Sequence, residues 1–154
     1  MKKLFFLFLS VCGLSLYSQG GGSKGAIIIA SVEGQVSVVN NDTQEPLPSD
    51  QIKAGGLIFD GHTIKTGPSS KIILLMSNGT VSTVKSDSSL NIKKFIQEKF
   101  DPGKKKLSEM KGEPSSSDTV IDLELGDMIL DVKRLNKKSS FNIESPVGTA
   151  GIRG

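Results

Sequence analysis

The sequence is poor in the side chains that carry most metal and covalent chemistry. Its 154 residues include one cysteine, one histidine, one tyrosine and no tryptophan. The single Cys12 excludes an internal disulfide and a metal site with several thiolates, and the single His62 excludes a zinc site with several histidines. A formal net charge of +3 is too small to indicate a nucleic-acid binder without a concentrated basic patch. The hydrophobic fraction of 36% is low for a tightly packed globule, yet too high for a wholly disordered chain.

The first 18 residues have the order of a secretory signal peptide. Lys2 and Lys3 precede an apolar run at residues 4–16, and small or polar residues follow it. The run is too short for a stable membrane span, which needs about 20 residues. We therefore predict a signal peptide at residues 1–18 and an exported chain in the periplasm or at the cell surface. An uncut N-terminal anchor stays open as the alternative, and lipidation at Cys12 is a minor one because Val11 is bulky.

The predicted mature chain, residues 19–154, has an unusual composition for an exported domain. Loss of Lys2 and Lys3 leaves 17 basic residues against 16 acidic ones, and no cysteine, tyrosine or tryptophan remains. Without disulfides, such a domain must be held together by backbone pairing and an aliphatic core.

Short runs of alternating apolar and polar residues fill most of this chain, and no stretch keeps a helical apolar period for three turns. The pattern predicts an all-β single domain of short antiparallel strands, built as a sandwich or roll, with a small β-solenoid as the alternative. Asn78-Gly79 between two strand-like runs is a strong hairpin signal. Two segments break the pattern: a flexible leader at residues 19–25, and an exposed, mobile insertion at residues 97–117. Strands are expected at residues 26–32, 36–39, 62–66, 71–76, 81–84, 90–96, 119–125, 128–132 and 141–146.

The sequence offers little for catalysis. His62 follows Asp60 by two residues, so a hydrolase with a Ser–His–Asp site would have to use this pair. No Gly-x-Ser-x-Gly motif accompanies them, and no cysteine after the predicted signal could act as a thiol nucleophile. We favour a surface histidine at the start of a strand, and we predict no enzyme and no catalytic residues.

Two sets of charged residues suggest ligands, and in both cases the simpler interpretation is favoured. The carboxylates at positions 118, 122, 124, 127 and 131 could bind calcium, but the close spacing of a calcium loop is missing. They are interpreted as the solvated face of a strand, so no metal and no cofactor is predicted. The basic runs at residues 93–94, 104–106, 133–134 and 137–138 lack interleaved stacking aromatics, so nucleic acid is not expected as a partner.

Several motifs resemble the FecR-type domain family. Residues 60–74 resemble its Gly-Asp-x-Ile-x-Thr-Gly core, residues 76–81 its strand–Asp-Gly–strand hairpin, and residues 141–154 its C-terminal Thr-Pro-x-Gly…Arg-Gly motif. Asn78 stands where the hairpin motif usually has aspartate. The motif positions are Gly61, Thr66, Gly67, Asn78, Gly79, Gly126, Pro146, Gly148, Arg153 and Gly154.

The resemblance implies a β-rich, exported FecR-like domain at residues 26–154. The best-known members are envelope regulators that control a sigma factor through a membrane helix and respond to an outer-membrane transporter. This sequence has no cytoplasmic segment before its apolar run and no later membrane span, so it resembles instead the stand-alone secreted members. We expect a non-catalytic domain that binds a protein or a glycan of the cell envelope, through residues that the sequence does not identify. The alternative is an envelope signal-sensing regulator with an uncut anchor; the membrane would be contacted only through the signal or that anchor.

The resemblance also makes two predictions about the C-terminus. Arg153 is expected to be buried and paired where the last hairpin folds back. Because the family pattern continues beyond Gly154 with a further strand, the chain is expected to be C-terminally truncated. Its last strand would then lack a hairpin partner and leave an open sheet edge.

Overall fold

Strands dominate the described part of the chain. The computed structural model of the protein describes residues 22–101, 103 and 106–154, so the predicted signal peptide lies outside the described residues. The strands are β1 (Ser23–Lys24), β2 (Ile27–Glu33), β3 (Val36–Asn40), β4 (Leu57–Ile58), β5 (His62–Thr66), β6 (Lys71–Met76), β7 (Val81–Val84), β8 (Ser89–Gln97), β9 (Ser117–Leu125), β10 (Met128–Asp131), β11 (Ser140–Ser145) and β12 (Gly148–Arg153). A short 3-10 helix lies at Leu107–Glu109.

The strands form two sheets that share one core. The large sheet has the strand order β12-β11-β9-β8-β5-β3, with β1 added beside β8, and the small sheet has the order β10-β7-β6-β2-β4. Both contribute apolar side chains to a single buried cluster that includes Ile29, Ile72 and Leu74 from the small sheet and Ile64, Ile92, Phe95, Ile121 and Phe141 from the large one. The all-β prediction is confirmed, in the form of a two-layer sandwich.

One strand pair departs from the predicted antiparallel arrangement. β11 lies parallel to β9, with Phe141 beside Thr119 and Ile143 beside Ile121. Parallel neighbours need a crossover connection. Here β10 and the following loop supply it, because the chain leaves the large sheet after β9, crosses to the small sheet, and returns.

Part of the predicted flexible leader belongs to the sheet. Ser23 and Lys24 form β1 and pair with Gln97 and Ile96. Gly25 is buried, and a Cβ atom there would lie 2.4 Å from the ring of Phe95. The leader prediction is therefore wrong for residues 23–25, which pack against the end of β8.

The predicted exposed insertion is also shorter than residues 97–117. Gln97 ends β8 and Ser117 begins β9, and both are buried. Glu113 is 7% exposed. The prediction of exposure is wrong for these three residues, because polar side chains here find partners inside the protein.

The last strand has a hairpin partner. β12 pairs antiparallel with β11, from the pair Ser145 and Gly148 at the turn to the pair Ser140 and Arg153 at the other end. The prediction that it lacks such a partner is wrong. The predicted open edge is present, since no other strand within the described residues pairs with the far side of β12.

Candidate functional site

His62 lies at the start of β5, where its ring is held by backbone groups. Its Nδ1 atom is 3.2 Å from the carbonyl oxygen of Phe59 and 3.3 Å from that of Asp60. The Asp60 carboxylate does not contact the ring and pairs with Lys24 at 3.0 Å. Asp60 and His62 therefore do not form the hydrogen-bonded pair that a Ser–His–Asp site needs.

Three of the motif glycines occupy turns with positive φ angles, and a fourth, Gly67, makes a backbone hydrogen bond instead. Gly61, Gly79 and Gly126 have positive φ angles of 78°, 88° and 85°, and each occupies a turn between strands. Gly67 does not supply a left-handed turn residue; Ser69 does, with φ of 52°. The Gly67 N–H instead donates to the carbonyl of Gln35 at 2.9 Å, which joins the β5–β6 turn to the β2–β3 turn.

Thr66 ties the end of β5 to the turn between β7 and β8. Its hydroxyl donates to the carbonyl of Lys85 at 2.5 Å and accepts the N–H of Ser88 at 3.0 Å. A threonine at this motif position therefore has a structural role, because it satisfies buried backbone groups.

Asn78 is a motif residue that is fully buried. Its Oδ1 accepts the N–H of Thr80 at 3.0 Å, which fixes the amide orientation. Its Nδ2 donates to Ser117 Oγ at 3.2 Å, and that hydroxyl donates to Glu113 Oε2 at 2.9 Å.

Glu113 extends this buried network to the loop that precedes β11. Its carboxylate also accepts the N–H of Asn136 at 3.0 Å and the hydroxyl of Ser139. The network therefore joins the β6–β7 hairpin, the start of β9 and the β10–β11 loop. These polar side chains stabilise the fold, because they satisfy one another's hydrogen-bonding groups.

The C-terminal motif forms the last hairpin. Pro146 and Val147 connect β11 to β12, and Gly148 begins β12. Gly154 packs closely, since a Cβ atom there would lie 2.1 Å from the carbonyl oxygen of Asn136. Arg153 is exposed, so the prediction that it is buried is wrong. It stands opposite Ser140, whose hydroxyl donates to Asp118 on the solvated outer face of the large sheet.

The outer face of the large sheet carries paired charges. Lys93 contacts Asp122 and Glu144, each at 2.6 Å, and these hydrogen bonds hold the pKa of Lys93 above its ordinary value. The Lys94 ammonium and the Ser140 hydroxyl donate to Asp118 and hold the pKa of its carboxyl below its ordinary value. In the described ranges, no three His, Cys, Asp or Glu side chains converge on a possible metal position.

A groove of about 600 Å³ lies beside the β2–β3 turn, and residues such as Val36, Ile52 and Lys65 line it. Part of its backbone is already bonded: the Gln35 N–H donates to Ser70 Oγ at 2.8 Å, and the Gly67 N–H donates to the Gln35 carbonyl at 2.9 Å. The side chains of Ser37, Ser49 and Lys65 also line the groove, but no arrangement of them defines a particular ligand.

The outer face of the small sheet is apolar. Cross-strand registers place Leu57, Ile28, Leu75 and Val81 in one row, and Ile73 with Ile129 around Thr83 in the next. We call these six aliphatic residues, Ile28, Leu57, Ile73, Leu75, Val81 and Ile129, the apolar face. Leu57 is 52% exposed and Ile129 57% exposed, and the other four are half-buried.

The boundary of the apolar face is charged with both signs. Glu33, the last residue of β2, pairs with Lys71, the first residue of β6, at 3.0 Å, and Asp131 pairs with Lys133 at 3.3 Å at the end of β10. An apolar centre with a mixed polar rim is the organisation of protein-binding surfaces.

The molecule is thus a two-layer all-β domain with one solvated polar sheet face and one apolar sheet face. The family model of the FecR protein matches residues 62–154. This match covers more than half of the chain, and the chain belongs to the FecR protein family, which indicates an envelope signal-sensing or regulatory role. Comparison with curated proteins and with solved structures finds no match.

Proposed function

We propose that this protein is an exported, non-catalytic interaction domain of the cell envelope that binds a protein partner through the apolar face. The observation that carries the proposal is the set of six aliphatic side chains on one sheet face, of which Leu57 and Ile129 are more than half exposed and the other four are half-buried. Exposed apolar patches of this kind mark interaction sites.

A protein fits this surface better than a glycan does. The apolar face is mostly aliphatic, and the polar groups in its two rows are the hydroxyls of Ser31 and Thr83 and the carboxylate of Asp131 beside Val81. Sugar hydroxyls would be desolvated there with few groups to accept their hydrogen bonds, which is costly. The polar outer face of the large sheet offers more such groups, but Lys93, Asp122 and Glu144 already pair with one another there.

The test compares two sets of variants of the exported chain. Leu57→Lys combined with Ile129→Lys changes the apolar face, and Val147→Lys is the matched control because Val147 is 97% exposed in the last turn. Labelled wild-type protein should bind solubilised envelope proteins saturably, and protease treatment of the envelope fraction should remove that binding. The double variant should lose binding while Val147→Lys retains it. Equal binding by all three proteins, or binding that survives protease but not glycan digestion, would contradict the proposal.

A second candidate is an envelope signal-sensing regulator anchored by its N-terminal apolar run. Membership of the FecR family favours it. Among the described residues, no helix has the length and hydropathy needed to cross a bilayer, and residues 4–16 lie outside those residues. Mass spectrometry of the chain purified from cells discriminates the two functions: a mature N-terminus at Gln19 excludes the anchor, and an intact residue 4–16 segment supports it.

A further inference from the structure

Strand β12 is an open edge of the large sheet. Its six residues, Gly148–Arg153, are all exposed and pair with β11 alone among the described residues. The register with β11 runs without a bulge, and the strand contains neither proline nor lysine. Bulges, prolines and lysines are the usual means by which an edge strand avoids pairing with another chain. The edge of β12 is therefore available for such pairing.

The opposite edge of the same sheet is protected. At β3, the Leu47 N–H donates to the Val38 carbonyl at 2.7 Å, and the Asn40 N–H donates to the Glu45 carbonyl at 2.9 Å. The loop after β3 thus occupies backbone groups on the far side of that strand. At β12, the backbone of Leu135 and Asn136 comes close only at Gly154, beyond the last residue of the strand.

The outward-pointing backbone groups of β12 follow from the hairpin. Ser145 and Gly148 flank a two-residue turn and lie opposite each other, so they form the hydrogen-bonded pair that closes it. Hydrogen-bonded and non-bonded pairs alternate along an antiparallel ladder. The N–H and C=O groups of Thr149, Gly151 and Arg153 therefore point to the open edge, and no loop within the described residues bonds to them.

A second copy of β12 fits this edge in a register that uses all three residues. When two copies pair antiparallel about a two-fold axis at Gly151, Gly151 lies beside its own mate and Arg153 lies beside Thr149 of the second copy. A shift of two residues in either direction leaves one of the three in each copy outside the pairing. On the other face of the strand, Ala150 lies beside Ile152 of the second copy. Ala150 is exposed and Ile152 is 38% exposed in a single copy, so this register also covers apolar surface.

The same register brings opposite charges together. Thr149 lies opposite Glu144, and Glu144 lies beside Asp122 of β9, so Arg153 of the second copy extends this row by one strand. A cavity of about 320 Å³ lies along the row and is lined by Thr149 and by three carboxylates, those of Asp122, Glu124 and Glu144. Asp122 and Glu144 share the single ammonium group of Lys93, which leaves the cavity acidic. Because neighbouring strands are about 4.8 Å apart, the guanidinium of the second copy reaches across Thr149 to Glu144.

We propose that β12 is a homodimerisation edge, at which two copies of this chain join their large sheets into one and each places Arg153 in the acidic cavity of the other. In its own copy Arg153 stands in a different row, beside Ser140 and Asp118, and Lys94 already pairs with that carboxylate. The contact uses no residue of the apolar face, so it goes beyond the proposed function and leaves that face free for its partner.

The first test determines the register with single cysteines in a Cys12→Ser background, which has no other cysteine. Gly151→Cys lies beside its own mate in a hydrogen-bonded pair, where the Cα atoms are about 5.5 Å apart, a separation that a disulfide spans. The added Cβ atom meets only the end of the Asn142 side chain, at 3.1 Å. Thr149→Cys is the matched control, an exposed residue of the same strand whose mate lies four residues along the pairing, roughly 14 Å away. Mild oxidation should crosslink Gly151→Cys into a dimer and leave Thr149→Cys monomeric.

The second test measures association of the exported chain by sedimentation equilibrium. Wild-type protein should form a reversible dimer, and Arg153→Glu should weaken dimerisation about tenfold or more, because it places a carboxylate beside Glu144 of the second copy. Lys53→Glu makes the same kind of charge reversal at an exposed loop residue and should dimerise as the wild type does. Circular dichroism spectra that agree among the three proteins show that the fold is kept.

Several results would overturn the inference. These are a wild type that stays monomeric up to about 1 mM, absence of a crosslink in Gly151→Cys, equal crosslinking of Thr149→Cys, or equal dimerisation of Arg153→Glu and Lys53→Glu. Loss of the dimer in Leu57→Lys combined with Ile129→Lys would place the contact on the apolar face and also refute it. Envelope binding that Arg153→Glu retains and the Leu57 and Ile129 variant loses would support the proposed function whatever the dimer does, so the two proposals fail separately.

Discussion

The Nδ2 atom of Asn78 lies 3.2 Å from Ser117 Oγ and donates a hydrogen bond to it. That hydroxyl has one hydrogen, which it gives to Glu113, so its partner at position 78 must be a donor. The FecR-type hairpin motif usually has an aspartate here, and an ionised aspartate can accept hydrogen bonds but cannot donate them. The asparagine in this chain therefore matches the buried carboxylate of Glu113.

Asn78→Asp should destabilise the fold. The substitution keeps the acceptor for the Thr80 N–H, but it removes the donor to Ser117 and adds a second carboxylate to a buried network. We expect a loss of about 1–3 kcal/mol in the free energy of unfolding, the cost of leaving a buried polar group unsatisfied. Urea unfolding followed by circular dichroism measures it. Asn142→Asp, the same chemical change at a half-buried position of β11, is the control, and an equal loss in both variants would contradict the role of Asn78.

Glu113→Ala should destabilise the protein far more than its position in a polar segment suggests. Its removal leaves the Ser117 and Ser139 hydroxyls and the Asn136 N–H without their acceptor. Because several buried donors lose one partner together, we expect a loss of about 2 kcal/mol or more. Glu109→Ala, at an exposed residue of the neighbouring 3-10 helix, should change stability little. Thermal unfolding of both variants that gives the same midpoint shift would refute the prediction.

Lowering the pH should remove the contribution of Asp118 to the stability of the fold. Hydrogen bonds from Lys94 and Ser140 hold the pKa of its carboxyl below the ordinary value. A depressed folded-state pKa stabilises the fold above the unfolded-state value, about 3.9, and this stabilisation is lost as pH falls through the folded pKa.

Asp118→Asn should therefore be less stable than wild type at pH 7, and the difference should shrink below about pH 4. Chemical unfolding across this pH range measures it. Asp50→Asn, at an exposed turn residue, should show no such convergence. A difference between wild type and Asp118→Asn that stays constant to pH 3 would rule out the proposed cause.

Local sequence patterns were sufficient to predict where most strands lie in the sequence, but they could not predict which strands pair with one another. Alternation over residues 119–125 corresponds to β9, and Asn78-Gly79 forms the β6–β7 turn. The parallel pairing of β9 with β11 could not be read this way, because alternation specifies which residues share a face and not which strand lies alongside. Pairing depends on the crossover through β10, which brings together residues far apart in sequence.

The sequence of β6 already indicates the apolar face. Residues 72–76, in β6, are continuously apolar, and such a run indicates a strand with apolar side chains on both faces. Ile73 and Leu75 lie on the apolar face, while Ile72 and Leu74 are buried in the core. The burial of Glu113 had no comparable signal, because its partners at positions 117, 136 and 139 come from separate segments.

Gly126 should tolerate alanine poorly for two separable reasons. Its φ angle is 85°, which costs a residue with a Cβ atom about 1–2 kcal/mol, and an added Cβ would lie 2.2 Å from Ser88 Oγ. That hydroxyl accepts the N–H of Asp127 at 3.0 Å, so it cannot move away without breaking the bond that starts β10. Gly55 separates the two effects, because its φ angle is 87° and a Cβ there meets nothing within 4 Å. Gly55→Ala should show the backbone cost alone in urea unfolding, and Gly126→Ala should lose clearly more; equal losses would mean that the contact with Ser88 contributes nothing.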